Sequence, residues 1–132
     1  MRAPPRARAD LLAATLTGCN LSGSNFCAAN LEKAYVTGSF HGVSFAGARL
    51  RGALIPKADL RGVSFAGADL RDADLSRSRL DDANLYGADL RNAGLTLASL
   101  RNVSLRWAIH GPRTRWPAHI HQDRLGELRS AG

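Results

Sequence analysis

Every fifth residue of this chain is apolar over most of its length, and no other feature restricts the possible folds so severely. From Phe40 the beat runs through Phe45, Leu50, Ile55, Leu60, Phe65, Leu70, Leu75, Leu80, Leu85, Leu90, Leu95, Leu100 and Leu105. Upstream it holds one position out of phase, at Leu11, Leu16, Leu21, Phe26, Leu31 and Val36. Two residues before each of these 20 centres the side chain is small: 13 Ala, 3 Val, 2 Ser, 1 Cys and 1 Gly. A helix face recurs at three and four residues and a strand face at two, so a beat of five belongs to neither. Within one unit, however, the small and the large residue are two apart, and a short extended segment points both to the same side. Gly closes the unit at Gly18, Gly23, Gly42, Gly47, Gly52, Gly62, Gly67 and Gly87, where a bend would need backbone angles that other residues avoid. Short extended pieces joined by corners, with apolar residues inward, make a solenoid.

A longer echo spans four of these units. Residues 42–53 read GVSFAGARLRGA and residues 62–73 read GVSFAGADLRDA, so seven letters return unchanged after 20 positions. The interval from Leu31 to Phe40 is nine rather than ten, which places a missing residue near Ala34–Gly38. Either that corner is tighter or bulged, or the interruption displays Tyr35, Thr37 and His41 to a partner.

Units such as ADLRG (58–62), ADLRD (68–72), ANLYG (83–87) and ADLRN (88–92) resemble the A-(D/N)-L-x-x motif of the pentapeptide-repeat proteins. The resemblance covers residues 9–107. It implies an all-β fold, a right-handed quadrilateral parallel β-helix with four pentapeptides per turn and about five coils. At ~4.8 Å between stacked strands, such a rod is about 24 Å long.

Composition excludes several classes. With 132 residues the chain forms one domain, and no run of 18 apolar residues is present to span a membrane. The basic start MRAPPRARAD is followed by residues that already keep the beat, so no signal peptide is expected. Two cysteines are too few for a disulfide framework, and Cys19 (inward) and Cys27 (outward) are not expected to pair. A reduced, cytoplasmic bacterial protein is the expectation. There is no nucleophile elbow, phosphate-binding Gly loop or acid/base pair, so no enzyme, catalytic residue or cofactor is expected. His110, His119 and His121 lack the further ligands a metal site needs, and no metal is expected either.

The outward residues give the candidate partner-binding surface. Arg51, Arg71 and Arg91 stack on one wall; Arg61, Asp81 and Arg101 stack on the opposite wall. Carboxylates lie beside these columns, as Asp69 lies beside Arg71 across Leu70, which suits a solvated wall. Tyr35 and His41 complete the candidate surface. The best-known members of the resembling family bind DNA gyrase by mimicking duplex DNA with a strongly negative rod. Here residues 9–106 carry 11 Lys and Arg against 9 Asp and Glu, a net +2 within a total of +7, a poor imitation of a phosphate backbone. Binding of nucleic acid by the Arg columns is opposed by the interleaved acids and the lack of stacking aromatics. The expected function is a non-catalytic scaffold with an unidentified protein partner. The alternative is a topoisomerase-interacting protection or self-resistance factor, with DNA gyrase as partner, and monomer and dimer both fit.

The ends fall outside the beat. Residues 1–8 form a basic tail with nothing to bury. Residues 108–132 form a short, irregular or partly helical C-terminal cap, in which 122–129 carries a short helical pattern that Gly126 weakens. Thr114-Arg115-Trp116-Pro117 is similar to the T-x-W-P segment that closes solenoids of the resembling family. Trp107, Ile109 and Trp116 are expected to cover the last coil.

Overall fold

The computed structural model describes residues 9–120 and 129–130; the basic tail 1–8 and residues 122–128 of the weak helical pattern lie outside the described residues, and Arg129, its last residue, is in a strand rather than a helix. The chain winds as a four-sided coil in which each wall is a column of parallel β-bridges. The first wall stacks Asp10, Asn30, Arg49, Asp69, Asp89 and Ile109. The second stacks Thr15, Tyr35, Leu54, Asp74, Gly94 and Arg115, the third Asn20, Ser39, Asp59, Arg79 and Ser99, and the fourth Asn25, Ser44, Ser64, Asn84 and Ser104. Each bridge residue stands just before an inward centre, so the alternation of side chains along an extended piece turns it outward while its two neighbours point in.

One unit shows how the rungs are held. Ser64 N donates to Val43 O at 3.0 Å below, while Phe45 N donates to Ser64 O at 2.7 Å and Gly47 N to Ala66 O at 2.8 Å above. The corner closes with Ala48 N donating to Phe45 O at 2.9 Å. Its third residue, Gly47, has φ +66°, the signature of a type II turn. Every residue two places after an inward centre, from Ala13 to Trp107, takes positive φ, whether or not it is glycine. The fold imposes the left-handed corner even on Lys57, Leu97 and Trp107, where each non-glycine residue gives up about 1–2 kcal/mol.

The centres from Leu21 to Leu105 are buried, and Leu11 and Leu16 of the first coil are partly buried against them. Phe26, Phe45 and Phe65 stack in one column, with adjacent ring centroids 5.2 Å apart. The missing residue sits in the longest extended segments. Strand β1 (Thr15–Asn20) pairs in parallel with β2 (Tyr35–Ser39), and the register shifts from Leu16↔Val36 to Cys19↔Gly38. A local bulge, rather than a lost coil, absorbs the change. Gly38, at φ +117°, occupies an angle that suits glycine.

The ladder does not stop at Trp107. Ile109 bridges to Asp89 and Arg115 to Gly94, and β3 (Ile109–His110) is paired in parallel by β4 (Arg129–Ser130). Trp107 does not cover the last coil: it stands on a left-handed corner (φ +62°), two places past Leu105, with 51% of its surface exposed. The corner position points its side chain away from the interior. Ile109 is half-buried on the first wall, and Trp116 and Ile120 pack against the core from the C-terminal end. Thr114 and Pro117 are buried. The Thr114 hydroxyl donates to Leu90 O at 2.8 Å and accepts from Gly111 N at 3.1 Å, which ties the last turn to the coil below.

Candidate protein-binding surface

Asp and Arg at the two positions flanking one inward Leu emerge on the same wall, close enough to meet. Arg71 forms a fork with Asp69, its Nε at 2.9 Å from Oδ1 and its Nη2 at 2.7 Å from Oδ2, and Asp69 Oδ1 also accepts the Arg71 backbone N–H at 3.1 Å. Arg61 grips Asp59 in the same way, at 2.8 Å on both oxygens. Arg91 repeats the fork on Asp89, which also lies 3.9 Å from Arg71 Nε. Position 49 is itself Arg, so Arg51 turns to Asp72 at 3.4 Å and Arg49 pairs with Glu32. The Arg71 guanidinium holds the Asp69 carboxyl below its ordinary range against the opposing effect of burial, and Arg61 does the same to Asp59. At Asp81, burial works to raise the carboxyl, but the Ser99 hydroxyl and the Arg101 backbone amide outweigh it and the group is lowered.

Four of the five candidate arginines, Arg51, Arg71, Arg91 and Arg61, therefore have a carboxylate partner. The Arg51, Arg71 and Arg91 column is neutralised within the wall. Each bidentate contact to a phosphate would require breaking a fork already made.

The second wall is different. Tyr35 and Leu54 are bridge partners one rung apart, both outward, with 41% and 46% of their surfaces exposed. Leu54 is absent from the candidates drawn from the sequence, although an apolar residue in an outward slot filled mostly by Asp, Asn, Ser or Arg was the available signal. His41 is exposed but lies past the next corner, beside the Phe40 centre on the third wall, so the register break does not gather Tyr35 and His41 into one patch. Among the described residues no three His, Cys, Asp or Glu side chains converge as metal ligands. His110 is tilted against Trp116 with centroids 6.4 Å apart, His119 is exposed, and His121 lies outside the described residues. Cys27 is half-buried, with Sγ 3.0 Å from Ser44 Oγ; the Cys19 side chain is not among those described.

The model of the family described as pentapeptide repeats matches residues 7–40, 44–82 and 78–109, in eight copies. The chain belongs to the pentapeptide repeat family. Its four walls are those of the right-handed quadrilateral β-helix of that family. Among solved structures it is similar to the pentapeptide repeat protein alr5209 from Nostoc PCC 7120, 28% identical over 93% of this chain and 85% of that one, with a TM-score of 0.65. QnrB1, a plasmid-mediated fluoroquinolone resistance protein, shares the fold at 14% identity, with a TM-score of 0.53 over 95% of this chain and 81% of that one. No curated protein matches the sequence.

Proposed function

We propose that this pentapeptide repeat protein is a non-catalytic scaffold that holds a protein partner against its second wall, with Tyr35 and Leu54 as the anchor. The observation that carries this reading is their placement as exposed bridge partners on the second wall, with Thr15 below Tyr35 and Asp74 above Leu54 rather than an Asp–Arg fork. Interface anchors are typically aromatic or large apolar groups that can be fully desolvated, whereas ion pairs at a rim add little. The Asp–Arg forks of the first and third walls would have to be desolvated on contact, which costs more than burying Tyr35 and Leu54. A photo-crosslinking amino acid at position 35, with one at Tyr86 on the fourth wall as control, tests this in the native cell. A discrete adduct from position 35 that is lost with Leu54→Asp is expected. Equal adducts from both positions, or none from position 35, would overturn the reading.

The alternative is a topoisomerase-directed protection factor, supported by fold likeness to a fluoroquinolone resistance protein and opposed by the net +2 of residues 9–106. Titration into a DNA gyrase supercoiling reaction, with and without a cleavage-stabilising quinolone, separates the two. A change at about micromolar protein, a typical range for specific complexes, would favour the topoisomerase; no change at that level leaves the scaffold reading in place.

A further inference from the structure

Higher on the second wall, three successive rungs form a trough with a charge difference across it. The lower rung presents Asp72 and Asp74, with Ser76 beside them, and the upper rung presents Arg113 and Arg115. Between them runs a rung of short residues, Asn92, Gly94 and Thr96, and the open depression measures about 540 Å³. The vertical order follows from the Asp74↔Gly94 and Gly94↔Arg115 bridges. Arg113 holds the third position of the hydrogen-bonded turn Gly111–Thr114, as Asn92 does in the turn Leu90–Ala93. Gly94 makes the depression. It is the one glycine in an outward bridge slot of the named walls, and its Cβ would meet Asp74 Oδ1 at 3.7 Å.

The two banks do not neutralise each other. Among the described residues Arg113 and Arg115 make no ion pair, unlike Arg49, Arg51, Arg61, Arg71 and Arg91, and Asp72 turns away to Arg51. Acidic and basic banks two rungs apart are separated by about 10 Å of backbone, and with no ion pair between them among the described residues both can reach one chain lying between them. The trough runs parallel to the strands of the wall, and both Asp72/Asp74 and Arg113/Arg115 repeat at intervals of two residues. An extended peptide laid along it would send alternate side chains to opposite banks with the same period.

We infer that the trough binds an extended segment of a protein partner in which acidic and basic side chains alternate, the acidic ones toward Arg113 and Arg115 and the basic ones toward Asp72 and Asp74. A nucleic-acid strand is disfavoured, because its phosphates would pass the acidic bank as well as the basic one. This inference rests on the scaffold reading but uses a different part of the wall from Tyr35 and Leu54.

The test uses the full chain labelled with 15N and two probe peptides of identical composition, the alternating acetyl-EKEKEK-amide and the blocked acetyl-EEEKKK-amide, at low salt. The alternating peptide is expected to shift the amide signals of Ser76, Gly94 and Thr96 and to bind more tightly than the blocked one. The double variant Arg113→Glu/Arg115→Glu should weaken binding about tenfold, the loss of two exposed charge pairs, and Gly94→Leu, which fills the trough at a position whose φ any residue adopts, should weaken it at least about as much by occupying the peptide's place. Both variants leave the core untouched, and an unchanged amide spectrum elsewhere verifies folding. Equal shifts from the two peptides, or binding unaffected by either variant, would overturn the inference. Shifts confined to Tyr35 and Leu54 would overturn the trough while sparing the scaffold. Loss of the position-35 crosslink with peptide binding intact would do the reverse.

Discussion

The Ser78 hydroxyl donates a hydrogen bond to the backbone carbonyl of Ile55, 2.6 Å away and 23 residues earlier. Thr114 makes the same kind of contact to Leu90, across one additional residue. Both occupy the small inward slot that is alanine in most units, and both are buried. A hydroxyl there is tolerated because an inward carbonyl of the coil below stands within reach. Without such a partner its burial would be costly.

Ser78→Ala therefore removes a hydrogen bond without creating a misfit, since alanine already fills this slot in 13 units. The expected loss is about 1 kcal/mol, read as a drop in Tm of about 4 °C. Thr114→Val should cost more, about 1–3 kcal/mol, because that hydroxyl also accepts the Gly111 amide. A Ser78→Ala protein melting with the wild type would mean that the contact is merely permitted.

The Asp–Arg forks predict an acid-sensitive fold. Asp69 and Asp59 have their carboxyls lowered, chiefly by the side-chain hydrogen bonds from Arg71 and Arg61. A carboxyl lowered in the folded state contributes its full stability above the unfolded value of about 3.9, and loses it as pH falls through the folded value. The urea midpoint should hold from neutral pH to about 5 and then fall below about 4. Asp69→Asn and Asp59→Asn should each start lower at neutral pH and show a shallower acid decline. Parallel curves for variant and wild type would remove these two pairs as the source of the effect.

Phe45 lies between two stacked rings, with Phe40 tilted beside it at 6.1 Å, whereas Phe26 stacks on Phe45 alone. Leucine is native at most centres, so Phe→Leu tests ring contacts rather than compatibility with the slot. Phe45→Leu should destabilise by about 1–3 kcal/mol more than Phe26→Leu, since it loses two further ring contacts and an aromatic pair is worth about 0.5–1.5 kcal/mol beyond burial. Chemical denaturation of the two variants checks it. Equal losses would show that area alone sets the cost.

The repeat was legible because its periodicity is nearly unbroken, and the forks because Asp-Leu-Arg puts opposite charges on one side of a corner. The last rungs were not. His110 stands where the beat calls for Leu, and one extra residue separates Ile109 from Arg115 relative to the coil below, so the continuation has no apolar signature. Trp107 looked like a lid because a large aromatic after the last Leu is usually buried. Its place two beyond Leu105 makes it a corner instead. Leu54 was hidden for the opposite reason: next to Ile55 it reads as a second core residue, although the strand turns it outward.

The corners carry the most direct prediction about sequence and backbone. Leu97 is 62% exposed at φ +61°, so it contributes little burial while holding an angle unfavourable to a branched side chain. Leu97→Gly should relieve about 1–2 kcal/mol of left-handed strain, partly offset by about 0.5–1 kcal/mol of added chain entropy in the unfolded state. A net gain of about 0–1.5 kcal/mol is expected from those two terms. Gly67→Val is the converse at φ +65°, where a Cβ would meet nothing within 4 Å. Any loss there reports the backbone angle and not a clash, and more than about 1 kcal/mol is expected. Urea denaturation of both variants, read for midpoint at constant slope, decides the matter. If Gly67→Val is neutral, the coil relaxes its corners freely, and the glycines of the repeat are there for some other reason.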